Sequence, residues 1–311
     1  MDYMIIYGAG KKGQTCLQML KKYGLDGFIM GFCDKRADSL GKCLNKPVYS
    51  YEHALQLNIP FILAVKKEYA PEVVDKLKRD SAKVYEELDV LLVDELHLFN
   101  RVDYEREFCA ISHIDTMDEY FDKAEENDSI NIFWKNDSTF YRCFRKLNLD
   151  SVVELACGRG RHVPRYLDDS KHVTLVDVLD KNIDFCRRRF SQFENIDYVV
   201  NNGFDLASLK DDSYTSIFTY DAMVHFELLD IANYLNESYR VLKRGCAALY
   251  HHSNNYSDYK ASYADAIESR SFMSDKIFAY LAYRAGFEVI EQHLIDWKYP
   301  ELDCLTLVRK K

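Results

Sequence analysis

The ten residues Val152 to Arg161, Val-Val-Glu-Leu-Ala-Cys-Gly-Arg-Gly-Arg, constrain this chain most. The apolar run from Ser151 to Leu155 reads as a buried strand with an acid near its end. A small-residue turn follows, and then a segment, His162 to Leu167, that can be helical. Gly158 and Gly160 let a ligand approach the main chain where a Cβ would collide. A helix beginning there would aim free N–H groups at the same spot. Four more apolar runs follow in order. Val173 to Asp177 ends in an acid about 20 residues after the turn, the spacing of a carboxylate that grips ribose hydroxyls. Ile196 to Val200 leads into Asn201-Asn202-Gly203, and Ser216 to Tyr220 into Asp221-Ala222-Met223-Val224-His225-Phe226. Cys246 to Tyr250 leads into His251-His252-Ser253-Asn254. Strands alternating with helical segments predict an α/β fold.

The order and spacing of these five stretches resemble the class I S-adenosylmethionine-dependent methyltransferases. Glu154-x-Ala156-x-Gly158-x-Gly160 is similar to their first motif, with alanine where the first glycine often stands. Arg240 to Gly245, Arg-Val-Leu-Lys-Arg-Gly, is similar to the segment before their fifth strand. The resemblance covers roughly residues 131–311 and implies a seven-stranded sheet with an antiparallel last strand. It implies S-adenosylmethionine as cofactor, held by Glu154, Ala156, Gly158, Gly160, Asp177, Val178, Asn202, Gly203 and Tyr220. Gly158 and Gly160 would admit the methionine and ribose portions, and Asp177 would accept the ribose hydroxyls. Asn202, where the family often has aspartate, would meet the adenine amino group. Tyr220 and Asp221 would lie beside the methionine portion. Phe133 and Trp134 stand in a region that often covers the cofactor in this superfamily; packing is the other reading. The stretches at Asp221–Phe226 and His251–Asn254 resemble a bacterial group associated with surface-polysaccharide biosynthesis.

The N-terminal stretch carries its own signature. An apolar run from Tyr3 to Tyr7 precedes Gly8-Ala9-Gly10-Lys11-Lys12-Gly13, a helix is predicted over 14–23, and a second strand over 27–32 ends at Cys33-Asp34. This is the dinucleotide fingerprint in its required context. Further elements are read at 60–65, 71–79 and 84–93, the last as a strand or as a short strand and its approach. The expected organisation is a small Rossmann-like domain over 1–95, a helical linker over 96–130 and the methyltransferase-like domain over 131–311. The first domain is short for a complete dinucleotide site, and it resembles modules that accompany bacterial sugar-modifying transferases. Gly8, Gly10, Gly13 and Asp34 therefore have two readings, a nucleotide or nucleotide-sugar site or a tightly packed turn. Residues 96–128 contain neither glycine nor proline, which predicts a rigid connection with an amphipathic helix over 117–126.

Composition excludes several classes. The formal net charge is −9, which opposes affinity for nucleic-acid phosphates. Arg187-Arg188-Arg189 reads as the solvated face of a helix. No apolar run reaches bilayer length, and residues 1–3 offer no basic export signal. The nine cysteines form no Cys-x-x-Cys pair, so reduced core thiols and a cytoplasmic protein with no metal site are expected. Cys157 reads as turn filler.

Methyl transfer to oxygen needs the hydroxyl proton removed, and a histidine is the natural base. His225, His251 and His252 all lie just beyond strand ends. Neighbouring strand residues point to opposite faces, so His251 and His252 are not expected to serve together. The order of preference is His225, then His251, with Asp221 beside them; Asp296 and Asp303 read as structural. The tyrosine-rich stretch 255–267 is read as a substrate loop over the sheet edge. The expected function is O-methylation of a sugar or another small hydroxyl or phosphate acceptor. An NAD(P)-dependent oxidoreductase using the first domain and a non-catalytic nucleotide- or sugar-binding protein are the alternatives. Oligomeric state is left open.

Overall fold

The computed structural model describes residues 2–113, 121 and 123–311. The chain divides into two compact units, Met1–Thr116 and Met117–Lys311. In the first unit the strands are β1 (Met4–Tyr7), β2 (Ile29–Cys33), β3 (Lys42–Cys43), β4 (Lys46–Tyr49), β5 (Phe61–Leu63) and β6 (Val84–Tyr85). They form one six-stranded sheet in the order β3-β4-β2-β1-β5-β6. All of its pairings are parallel except that of β3 with β4. The helices are α1 (Lys11–Lys22), α2 (Ala37–Leu40), α3 (Tyr51–Gln56), α4 (Ala70–Arg79) and α5 (Arg101–Ser112).

Of the two readings of 84–93 the short strand holds, ending at Tyr85, and Val90–Glu95 winds into a π-helical turn that buries Leu91 and Leu92. Residues 101–112 are not linker: α5 packs on α1 and buries Tyr104, Phe108 and Ile111. The helix expected over 117–126 lies largely outside the described residues.

In the second unit the helices are α6 (Asn127–Trp134), α7 (Thr139–Phe144), α8 (Asp180–Arg189), α9 (Leu228–Val241) and α10 (Asp275–Ala285). The strands are β7 (Ser151–Leu155), β8 (His172–Asp177), β9 (Ile196–Val200), β10 (Tyr214–Thr219), β11 (Leu242–Ser253), β12 (Phe287–Trp297) and β13 (Tyr299–Lys310). They form a seven-stranded sheet in the order β12-β13-β11-β10-β7-β8-β9. The last strand, β13, runs antiparallel to both neighbours, and the other pairings are parallel. The α/β class and the seven-stranded sheet with its antiparallel last strand are as expected.

Strand side chains alternate between faces, and the two faces have separate cores. Val152, Leu175, Phe218 and Leu307 pack with α7 and α8. Val153, Ile217, Ala248 and Val308 pack with α9 and α10. A parallel sheet buried on both faces is what near-continuous apolar runs demand. The carboxyl ends of β7, β8 and β10 meet at one edge, where the order reverses between β7 and β10. Among the described residues no helix is long and apolar enough to cross a membrane.

Candidate active site

The turn after β7 carries three positive φ angles, at Ala156 (+57°), Gly158 (+55°) and Gly160 (+72°). Its backbone is fixed from beneath. Cys157 N donates to Val176 O at 3.0 Å, and Gly160 N to Cys157 O at 2.9 Å. The Cys157 and Cys186 thiols both donate to Gly158 O, at 3.5 and 3.4 Å. The glycines answer neighbours of the chain itself. A Cβ on Gly160 would lie 2.6 Å from Phe190, and one on Gly158 would lie 3.0 Å from Phe121. The helix expected over 162–167 is replaced by two short 3-10 turns, Val163–Arg165 and Leu167–Asp169. Tyr166, at φ −138°, separates them. No long helix therefore begins at this turn, and the free helix N–H groups expected at it are not presented.

Asp177 closes β8 directly behind the turn and is buried. Its Oδ2 accepts from Gly158 N at 2.8 Å, and its Oδ1 from Leu179 N at 2.9 Å and Asn182 Nδ2 at 3.2 Å. The Val178 backbone N–H also bonds this carboxylate. Burial raises its pKa against the pull of these donors. Val178 beside it is half-buried. Glu154 lies near the end of β7. It is buried, takes a hydrogen bond from Tyr166 OH at 2.7 Å, and burial pushes its pKa up to about 8.

Asn202 departs from expectation. It is exposed, and its amide serves its own turn, donating to Asp205 Oδ2 at 2.7 Å and accepting from Phe204 N and Asp205 N. An adenine contact would have to break those bonds. Gly203, at φ +85°, permits this turn. Arg240, in the segment before β11, donates to Leu206 O and Leu209 O and to Glu237, fastening the loop to α9.

At the end of β10, Tyr220 is buried. Its ring lies 4.3 Å from that of Phe140, 4.9 Å from that of Phe133 and, stacked, 4.5 Å from that of His251. Phe133 also stacks on Trp297. Trp134 goes instead to the core side, donating to His162 Nδ1 at 3.1 Å. Asp221 sits at φ +56° and pairs with Arg161 at 2.9 Å. Arg161 escaped the sequence reading as a functional residue because its partner is 60 positions away; its place directly after the last glycine was the available signal.

The three histidines are separated by their surroundings. His251 has no exposure; its Nδ1 accepts the Asp221 N–H at 3.0 Å, and its Nε2 lies 3.2 Å from Asp303 Oδ2, poorly aligned for a hydrogen bond. Asp303 is held at the same time by Arg270, Nε–Oδ1 3.0 Å and Nη2–Oδ2 2.8 Å. With Nδ1 already occupied, His251 cannot take a proton from an acceptor, so its expected role as a second base is corrected. His252 is buried between Ser253 O and Thr306 Oγ1 and stacks on Phe278; burial depresses its pKa to about 3. His225 alone is half-buried. Its Nδ1 lies 2.8 Å from Ser269 O, and its ring meets Tyr263. A carbonyl partner makes Nδ1 the donor.

Two of the three fingerprint glycines of the first unit are closely approached by main chain. A Cβ on Gly13 would fall 1.9 Å from Gly8 O, and one on Gly8 2.7 Å from Ala64 O, whereas Gly10 faces open space. Asp34 accepts four hydrogen bonds, from Ala9 N and from Arg36 N, Nε and Nη2. This set uses every acceptor site of a carboxylate, so Asp34 is not available to ribose hydroxyls as expected. Its pKa is held far below the usual range, chiefly by the Arg36 hydrogen bonds.

Comparisons with known proteins agree with the second unit's sheet. Residues 152–245 match a family model described as a methyltransferase domain. No curated protein matches the chain. Similar solved structures include a SAM-dependent methyltransferase of Aquifex aeolicus, at 12% identity over 61% of this chain and 96% of that one, TM-score 0.46. Another is from Methanosarcina mazei, at 16% identity over 54% and 95%, TM-score 0.45. A third is from Mesorhizobium loti, at 16% identity over 55% and 97%, TM-score 0.45. Residues 152–245 are thus similar to a methyltransferase domain, for which S-adenosylmethionine is the expected cofactor.

Proposed function

We propose that this chain moves the methyl group of S-adenosylmethionine to a hydroxyl oxygen of a small, carbohydrate-like acceptor of the kind used in surface-glycan assembly. The observation that carries the reading is the half-buried His225, held by Ser269 O at 2.8 Å beside a tyrosine-bearing loop. Tyr256 and Tyr259 of that loop are exposed, and aromatic rings pair an apolar face with a polar tip, as a sugar does.

The residues present fit the donor. The Arg161–Asp221 pair at the glycine turn matches the zwitterionic amino-acid head, guanidinium to carboxylate and carboxylate to ammonium. Asp177, buried directly behind the glycine turn, is the carboxylate expected to meet the ribose, exchanging one of its present donors for a hydroxyl. Tyr220 and Phe133 supply ring faces suited to a cation. Nothing in the donor carries a phosphate, so the missing helix N-terminus is no obstacle. When bound, the donor supplies an electrophilic methyl on a sulfonium sulfur. His225, oriented by Ser269 O, would take the proton that the acceptor hydroxyl gives up on methylation. The remaining acceleration comes from holding the reactants collinear.

Calorimetry with S-adenosylhomocysteine, followed by a mass-read methyl-transfer screen over nucleotide sugars, sugar phosphates and lipid-linked glycans, tests this. Donor binding with methylated product from a hydroxyl acceptor supports it. Absence of binding, or transfer to nitrogen, overturns it.

A further inference from the structure

β12 contains a bulge. Val289 pairs with Val308 and Glu291 with Leu307, so Ile290 is the extra residue between consecutive partners. Upstream of it, Phe287 and Val289 pack on the α9 and α10 face. Downstream, Glu291 stands opposite Leu307 and His293 opposite Leu305, and both leucines belong to the α7 and α8 face. Unbulged register would have set Glu291 opposite Thr306, on the other side of the sheet. The bulge thus delivers a carboxylate and an imidazole to the face where α7 presents the buried thiol of Cys143. Bulges that re-aim a side chain are over-represented beside functional sites.

The ligand atoms of Cys143, Glu291 and His293 all lie within 4.8 Å of one another. His293 Nε2 is 3.2 Å from Glu291 Oε2, and Lys146 pairs with the other oxygen, Oε1. We propose that Cys143, Glu291 and His293 form a site for one zinc-class divalent cation that pins α7 to β12. Thiolate, imidazole and carboxylate are together the donor set that zinc takes, with water completing a tetrahedron. Calcium and magnesium favour sets made only of oxygen donors. Lys146 orients the carboxylate, the supporting role that metal ligands commonly receive. Cys143 is too far in sequence from Glu291 and His293 for any spacing motif to have shown the three together.

Cobalt(II) titration of the full chain after chelator treatment tests the site. The expected result is one equivalent bound, with a sulfur-to-cobalt charge-transfer band and tetrahedral ligand-field bands, all displaced by zinc. Cys143→Ser should abolish the charge-transfer band. His293→Ala should weaken cobalt binding at least about tenfold, the scale on which metal sites respond to loss of a supporting group. Absence of a thiolate band in the native chain overturns the proposal, and so does a band unchanged in both variants. Should Cys143→Ser fail to fold by circular dichroism, His293→Ala, at a partly exposed position, decides alone.

Discussion

Ala156 occupies left-handed backbone at φ +57°, where an L-residue costs about 1–2 kcal/mol. Glycine escapes that penalty but loses about 0.5–1 kcal/mol to unfolded-chain entropy. Ala156→Gly should therefore stabilise the protein by about 0.5–1 kcal/mol, read as a raised urea midpoint with donor affinity unchanged. Gly160→Ala should do the reverse. It combines a positive φ with a Cβ 2.6 Å from Phe190, and a loss of about 2–4 kcal/mol is expected in the same assay. For chemistry the informative contrast is between two histidines. His225→Ala should lower turnover by about 10²–10⁴ while S-adenosylhomocysteine affinity stays within about twofold. His251→Ala removes the acceptor of the Asp221 N–H and should lower stability and donor affinity together. If the two variants exchanged these phenotypes, His225 would not be the base.

Among the elements, the glycine turn of the first unit separates packing from binding. Gly13→Ala sets a Cβ against the Gly8 carbonyl and should cost at least about 3 kcal/mol. Gly10→Ala faces open space and should cost about 1 kcal/mol or less as an uncapped N-cap. Urea unfolding of the two variants checks the pair. A nucleotide or nucleotide-sugar titration of the native chain and Gly10→Ala then tells whether that turn does more than pack. This turn also shows what a fingerprint can and cannot reveal. Its strand–turn–helix context was legible, because Tyr3 to Tyr7 is apolar and Lys11 to Lys22 keeps a helical period. The saturation of Asp34 was not, because it depends on how Arg36 folds back across two residues.

For the second unit as a whole, burial sets a pH optimum. Glu154 has a pKa raised to about 8 from an ordinary 4.5, so the folded state keeps a proton that the unfolded chain releases between those values. That contribution to stability is whole below about 4.5 and is lost as pH rises toward 8. His252 has a pKa depressed to about 3 from an ordinary 6.5. Its contribution is whole above 6.5 and is lost as pH falls toward 3. The two slopes oppose each other between about pH 4.5 and 6.5, and the stability maximum should lie there. Urea midpoints across pH 4–8 locate it, and Glu154→Gln should flatten the alkaline limb.

Five apolar runs with their spacing marked the parallel strands of the second unit, because strand and helix periods are local properties of the chain; the seven-stranded sheet and its antiparallel last strand were what the family resemblance implied. The glycine turn and the acid behind it were equally local. Tertiary structure alone decided which polar groups still had bonds to offer. It spent Asn202 and Asp34 on their own turns, sealed His251 beneath Tyr220, joined Arg161 to Asp221, and used one bulged residue to turn Glu291 and His293 toward Cys143. Hydrogen-bond capacity is finite and is filled by whatever the fold brings near, so a residue's availability for chemistry is settled only once its neighbours are in place.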